Sequence, residues 1–151
     1  MNANGHAKPG CGYAIQGRPA PMLEVALRAL TRDGISSQGL PECNGSTCDW
    51  VRGVAECLRN GQCRAAILFC EDPELACCVA NKVAGIRAAS VQSVAQATRA
   101  VEQLGANVLV VEMAGRTFFE FKELLRLAGN GTVCPPGVAC VLGELDGHAH
   151  R

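Results

Sequence analysis

The sequence predicts a three-layer α/β domain, a five-stranded and mostly parallel sheet with helices on both faces. Three observations carry that reading. Residues 65–70 are a continuous apolar run, the pattern of a parallel strand buried on both sides, and residues 106–112 read as another buried strand. Segments with apolar residues at helical spacing lie between and around these runs. Hydrophobic residues make up 48% of the chain but aromatics only 4%, so the core must be filled by Ala, Val, Leu, Ile and Cys, which suits helices laid on a sheet. The length of 151 residues favours one such core over two.

The elements follow in chain order. Residues 12–16 form a short apolar run ending in Gly17-Arg18-Pro19, a strand leaving into a loop. Leu23, Leu27 and Leu30, with Met22, Ala26 and Ala29, give a one-faced helix that stops near Gly34. Residues 35–46 are polar and Gly-rich, with room for a short edge strand and a loop. A second helix starts after Ser46 or Thr47, carries Asp49 in its first turn and ends at Asn60-Gly61. Residues 65–70 then form the central strand. The acidic turn Glu71-Asp72-Pro73-Glu74 follows, with Pro73 suited to the first helical position and the acidic residues suited to a helix N-terminus. The helix runs on to Val83. A strand over 86–90, a helix over 91–104 and a strand over 106–112 continue the alternation, and Phe118, Phe121, Leu124 and Leu125 mark a last helix stopping near Gly129. Right-handed crossovers make this pattern a Rossmann-like domain over residues 11–129. It is flanked by a flexible segment, 1–10, and a Gly- and Pro-rich tail, 130–151.

Composition excludes several classes. Lys plus Arg and Asp plus Glu are 14 each, so the chain lacks the basic field that nucleic-acid or anionic-membrane partners require. No apolar stretch reaches the roughly 18–20 residues that cross a bilayer, and the N-terminus lacks the pattern of a secretory signal. A cytoplasmic location is expected. Among the ten cysteines, Cys57, Cys70, Cys77 and Cys78 fall in apolar periodic segments and read as small core filler. Cys43 with Cys48, and Cys134 with Cys140, flank loops and could approach each other, but no pair has the two-residue spacing of a zinc ribbon. No metal or cofactor is expected, and His148 and His150 read as solvent-exposed tail residues. Arg87 reads as an ion pair at a strand start.

In sheets of this kind the pocket lies at the carboxyl ends of the strands, which directs attention to the turns after Gln16, Cys70, Ser90 and Glu112. The run Ile67-Leu68-Phe69-Cys70, followed without a gap by Ala80-Asn81-Lys82-Val83-Ala84-Gly85-Ile86-Arg87-Ala88-Ala89, resembles the ribose-5-phosphate isomerase B and galactose-6-phosphate isomerase family. Ala106-Asn107-Val108-Leu109 continues the match, and the resemblance covers about Tyr13 to Ala128. It implies an enzyme that interconverts aldose and ketose phosphates through an enediolate, using a base and oxyanion donors. It also implies a homodimer and a small phosphorylated sugar as ligand.

The resemblance places Cys70 at the family's base position, and it is there that the sequence departs from the pattern. The family's Gly-Thr-Gly-Ile-Gly turn, whose N–H groups close on substrate oxygen, is replaced by Glu71, Asp72, Pro73, Glu74 and Leu75. The Asp-His pair of the first loop aligns with Arg18 and Pro19, the ring-opening His with Gln103 and the next Asn with Leu104. No histidine remains in the aligned body, and no arginine lies between Arg126 and Arg151 to serve the phosphate. Some relatives use a Glu base at the place of Ala76, two positions from Glu74. The candidate site is therefore Cys70 or Glu74 as base, with Gly17, Arg18, Glu71 and Asp72 around the substrate.

Three readings stay open at this stage. One is an isomerase of altered substrate, with Arg18 as anion anchor. Another is a non-catalytic dimeric binding or assembly protein on the same scaffold. The third, resting on the thiol count alone, is a cysteine-based metal or redox module. Cys70 itself is either a packed strand-end thiol or a base.

Overall fold

The computed structural model describes residues 10–130 and 133–149. Its strands are β1 (Cys11–Ile15), β2 (Ser37–Gly39), β3 (Ala65–Cys70), β4 (Ala88–Ser90) and β5 (Val108–Glu112). They form one sheet in the order β2-β1-β3-β5-β4, with every pairing parallel rather than most of them. The apolar run at the centre of the sequence is thus the central strand, and all six of its residues are buried.

The helices are α1 (Pro21–Arg32), α2 (Thr47–Arg59), α3 (Pro73–Asn81), α4 (Val94–Arg99), α5 (Phe118–Gly129) and α6 (Pro136–Ala149). Alternating side chains of β3 feed two cores. Ala66, Leu68 and Cys70 pack with α2 and α3, while Ile67 and Phe69 pack with α1, α4 and α5. Phe69 meets Phe121 edge to face at 5.6 Å. Burying each of Ile67, Leu68 and Phe69 contributes roughly 1.5–3 kcal/mol, so this strand anchors both layers.

Local signals set the helix starts. Ser46, Asp72, Ser93 and Thr117 each accept a hydrogen bond from the backbone N–H three residues on, capping α2, α3, α4 and α5. Pro73 occupies the first turn of α3, where its missing N–H costs nothing. The helix expected over 91–104 is shorter, because Ser93 caps it at Val94 and its last turn, Ala100–Leu104, widens into a π-helix. Gly105 ends it at φ +64°, and a Cβ there would lie 2.5 Å from the Cα of Cys134. The strand expected from Ile86 begins only at Ala88, since Ile86 and Arg87 belong to a braced turn.

The segment read as a Gly- and Pro-rich tail carries α6, which the frequent glycines hide from a propensity reading. His150 and the side chain of His148 lie outside the described residues, as do residues 1–9. No helix of the described residues is long and apolar enough to cross a membrane. All ten cysteines are free, including Cys43, Cys48, Cys134 and Cys140. Cys78 is exposed rather than core filler, because it points off the outer face of α3, while Cys57 and Cys70 are buried as expected. Arg87 makes no ion pair among the described residues; its Nε donates to the carbonyl of Gly105 at 2.9 Å.

Candidate functional site

The helices after β1 and β3, α1 and α3, lie on opposite faces of the sheet. The connections therefore diverge between these neighbouring strands, and a crevice opens at their carboxyl ends. Two clefts occupy that edge. One, of about 330 Å³, is lined by Ala20, Pro21 and Met22 after β1, Cys70 and Glu71 after β3, and residues 112–116 after β5. The other, of about 500 Å³, lies over β1 and β2 and holds Gly17 and Arg18 beside Tyr13, Leu40, Glu42 and Cys43.

The candidate residues are thus divided. Cys70 and Glu71 share the first cleft, while Gly17 and Arg18 line the second, and Asp72 and Glu74 line neither. Arg18 is exposed and forms no ion pair with the acidic turn among the described residues. Glu74 stands exposed in the first turn of α3, where it favours the helix N-terminus.

Cys70 is 2% exposed, and its Sγ faces the carbonyl of Val111 at 3.9 Å. Burial first, then the carboxylates of Asp72, Glu74 and Glu112, push its thiol up to about 12, against a smaller opposing effect of a hydrogen bond from the Asp72 backbone. The group at the candidate base position is held as a neutral thiol.

The backbone donors of the turn are engaged from within. Gln16 stands between β1 and the turn: its Nε2 donates to Thr47 Oγ1 at 3.2 Å, and its Oε1 accepts the N–H of Glu71 at 3.0 Å. Asp72 Oδ1 accepts the N–H of Leu75 at 3.1 Å, the Asp72 carbonyl accepts that of Ala76, and Pro73 has no N–H. An oxygen arriving from outside would have to displace Gln16 to reach the Glu71 donor. Sequence reading named the turn after Gln16 but gave its amide no role; a polar residue at a strand end facing another strand's end is the only signal it leaves.

Among the described residues, the one cation lining the Cys70 cleft is held as firmly. Arg116 donates from Nε to the Glu112 carbonyl at 2.9 Å and from Nη1 to the Gln92 carbonyl at 2.6 Å, and lies 3.4 Å from the Glu120 carboxylate. Its side chain is 11% exposed. Glu112 and Met113, with Arg116, are site residues that the sequence reading did not single out. The Met113 sulfur accepts the N–H of Ala20 at 3.4 Å, tying the β5 turn to the start of α1. Among the described residues no three His, Cys, Asp or Glu side chains gather as a metal ion would need.

The later part of the resemblance, around residues 80–89 and 106–109, falls at the opposite, amino edge of the sheet, whereas Ile67-Leu68-Phe69-Cys70 runs out at the carboxyl edge. Asn81 donates to the Ala88 carbonyl at 2.9 Å and accepts its N–H at 2.7 Å, so one amide closes β4 onto α3. Asn107 accepts the N–H of Arg87 at 2.7 Å and donates to the Gly85 carbonyl at 2.9 Å. Gly85, at φ +83°, gives its N–H to Asp146 of α6 at 2.9 Å.

Comparison with known proteins bears on the family and the fold. Residues 30–127 match the family model described as Ribose/Galactose Isomerase. Among solved structures, a ribose 5-phosphate isomerase B from Thermotoga maritima superposes with a TM-score of 0.76 at 17% identity, covering 93% of this chain and 99% of that one. Ribose-5-phosphate isomerase B from Mycoplasma genitalium, with bound ribulose-5-phosphate, gives 0.75 at 19% identity over 97% of this chain and 99% of that one. The Clostridium thermocellum ribose-5-phosphate isomerase B gives 0.74 at 19% identity over 93% and 97%. No curated protein matches the chain by sequence.

Proposed function

The chain belongs to the Ribose/Galactose Isomerase family, and we propose that this member has given up ordinary aldose–ketose phosphate isomerisation and uses the scaffold as a dimeric binding protein. The observation that carries the reading is the Gln16–Glu71 hydrogen bond. Enediolate chemistry needs free donors where the oxyanion develops and a base that ionises near working pH. Here Gln16 Oε1 sits on the donor that follows Cys70, and the Cys70 thiol ionises only at about 12.

Charge supports the same reading. Glu71 and Glu112 line the cleft, where they repel a phosphate dianion, and Arg116 is engaged elsewhere. Glu74 lies outside the cleft and so is not positioned as a replacement base. For the dimer, the resemblance is joined by one feature of the surface: Val141 and Leu145 of α6 are 55% and 58% exposed, a stripe of apolar side chains four residues apart.

Incubating the purified chain with ribose 5-phosphate and allose 6-phosphate in heavy water tests the catalytic part. The expected outcome is no isomer and no deuterium at the carbon beside the carbonyl above the enzyme-free control. Exchange at that carbon, even without net isomer, would show a working base and overturn the reading. A monomer by light scattering at micromolar concentration would overturn the dimer.

A further inference from the structure

We propose that the slot between α6 and the amino edge of the sheet binds a compact apolar molecule carrying one hydrogen-bond acceptor, such as a ketone or amide carbonyl, and that α6 is a strap completed by that ligand. The inference concerns the edge opposite Cys70 and stands whether or not the carboxyl edge is catalytic. Its starting point is a mismatch in α6. Val138, Ala139, Cys140, Val141, Leu142 and Leu145 make this helix strongly apolar, yet none of residues 136–147 is buried. A helix of 14 residues is marginal alone, and Gly137, Gly143 and Gly147 weaken it further. It needs cover that the sheet does not supply.

α6 is pinned near its two ends and stands off between them. Before its first turn the backbone of Cys134 lies against Gly105, where a Cβ would come within 2.5 Å of the Cys134 Cα. Near its last turn Asp146 Oδ2 accepts the N–H of Gly85 at 2.9 Å. The space left between is about 460 Å³, inside the range of ligand pockets, and holds roughly fifteen non-hydrogen atoms at the ~30 Å³ each that a liquid water takes. Ile86, Ala88 and Leu104 wall it from the body, and Ala139, Leu142 and Leu145 wall it from the helix. An apolar body in this slot covers both walls at once. Val141, exposed and outside this lining, is left for the second copy. Two charged groups set the head of the ligand. Arg87 is fixed by its N–H to Asn107 at 2.7 Å and by its Nε to the Gly105 carbonyl at 2.9 Å, which leaves its Nη groups without an acceptor among the described residues. Asp146 lines the same slot, and no ion pair joins the two. An anion gains at Arg87 and loses at Asp146, so a neutral acceptor at the guanidinium is the head that meets no opposition.

The test uses the full chain and three probes of one shape: acetophenone, cumene, in which a methyl group replaces the carbonyl oxygen, and benzoate. Binding is read from shifts of the Gly85, Ile86, Leu104 and Leu142 amide resonances, and the effect on α6 from hydrogen exchange over residues 139–146. Acetophenone is expected to bind at least about threefold more tightly than cumene, the modest factor that one partly exposed hydrogen bond provides, and more tightly than benzoate. At ten times its Kd, acetophenone should slow exchange in α6 by about tenfold, because the ligand binds only the closed strap. Arg87→Met, which keeps the stem and removes the donors, should bring acetophenone to the level of cumene. Ala139→Trp, which fills the slot, should abolish binding of all three probes with the β1 resonances preserved.

No response of these amides to acetophenone would overturn the proposal, as would cumene or benzoate binding as tightly as acetophenone. Slow exchange in the free chain's α6 that speeds up on dilution would also overturn it, since a second copy would then be what completes the helix.

Discussion

The two edges of the sheet differ in what their side chains do. At the amino edge, Asn81 and Asn107 satisfy four backbone groups of residues 85–88, and Asp146 of α6 takes the N–H of Gly85. At the carboxyl edge, Gln16, Asp72 and Arg116 likewise satisfy backbone groups, but where an isomerase would leave donors for substrate. The family-resembling residues Asn81 and Asn107 at the first edge are braces, whose work is to hold the fold. Family membership rests on the match over residues 30–127, which spans both edges, and does not by itself fix what the carboxyl edge does. A fold does not by itself name a reaction.

Removing a brace should have the largest effect. Asn81→Ala deletes both bonds to Ala88, leaving its N–H without the Asn81 acceptor and its carbonyl with the weak Cys77 thiol donor. An orphaned group costs about 1–3 kcal/mol, and a loss of that size is expected in urea unfolding at unchanged slope. Asn107→Ala should be similar. A loss below 1 kcal/mol for both would mean that the amino edge is no more built than the other, and the contrast would fail.

Alkaline pH probes both edges together. Cys11, at the start of β1, and Cys70, at the end of β3, are each pushed from an ordinary value of 9.0 to about 12, Cys11 by burial and then by nearby Cys63. Between those values the unfolded chain releases these protons and the folded chain keeps them. Stability therefore falls as pH rises from about 9 to 12, by up to about 1.4 kcal/mol per pH unit for each thiol. Thermal unfolding against pH should show the decline, and replacing either cysteine by Ala should flatten part of it. A wild-type curve flat over that window would mean the thiols ionise in place, which would restore Cys70 as a base.

Much of this fold is legible in the sequence because its causes are local or periodic. The run Ala65–Cys70 reads as a strand buried on both faces, and Ser46 and Pro73 start helices by their own chemistry. What escapes is set by contacts distant in sequence. Ile86 and Arg87 leave the strand pattern because Asn107, twenty residues on, holds Arg87 in a turn. Residues Pro136–Ala149 hide a helix behind three internal glycines. At the site, position 70 and the acidic turn were legible, but Arg18 and Cys70 falling into separate clefts, and the reach of Gln16 across 55 residues to Glu71, depend on strand register.

Gln16 offers the smallest and sharpest test. Its side chain ties Thr47 at the start of α2 to the Glu71 N–H, one neutral hydrogen bond at each end. Gln16→Ala should cost only about 1 kcal/mol, because the Glu71 N–H is exposed enough for water to replace the lost acceptor. Its value lies in what it leaves behind: a free donor beside Cys70, the first element of an oxyanion site. If the substituted amide is the principal block, this variant should begin to exchange the substrate proton of ribose 5-phosphate with heavy water. The expected result is stability reduced by that small amount and no exchange, since the thiol at about 12 and the carboxylates of Glu71 and Glu112 remain. Exchange in Gln16→Ala would instead locate the whole loss in one side chain, and make the carboxyl edge an isomerase site under a single removable cover.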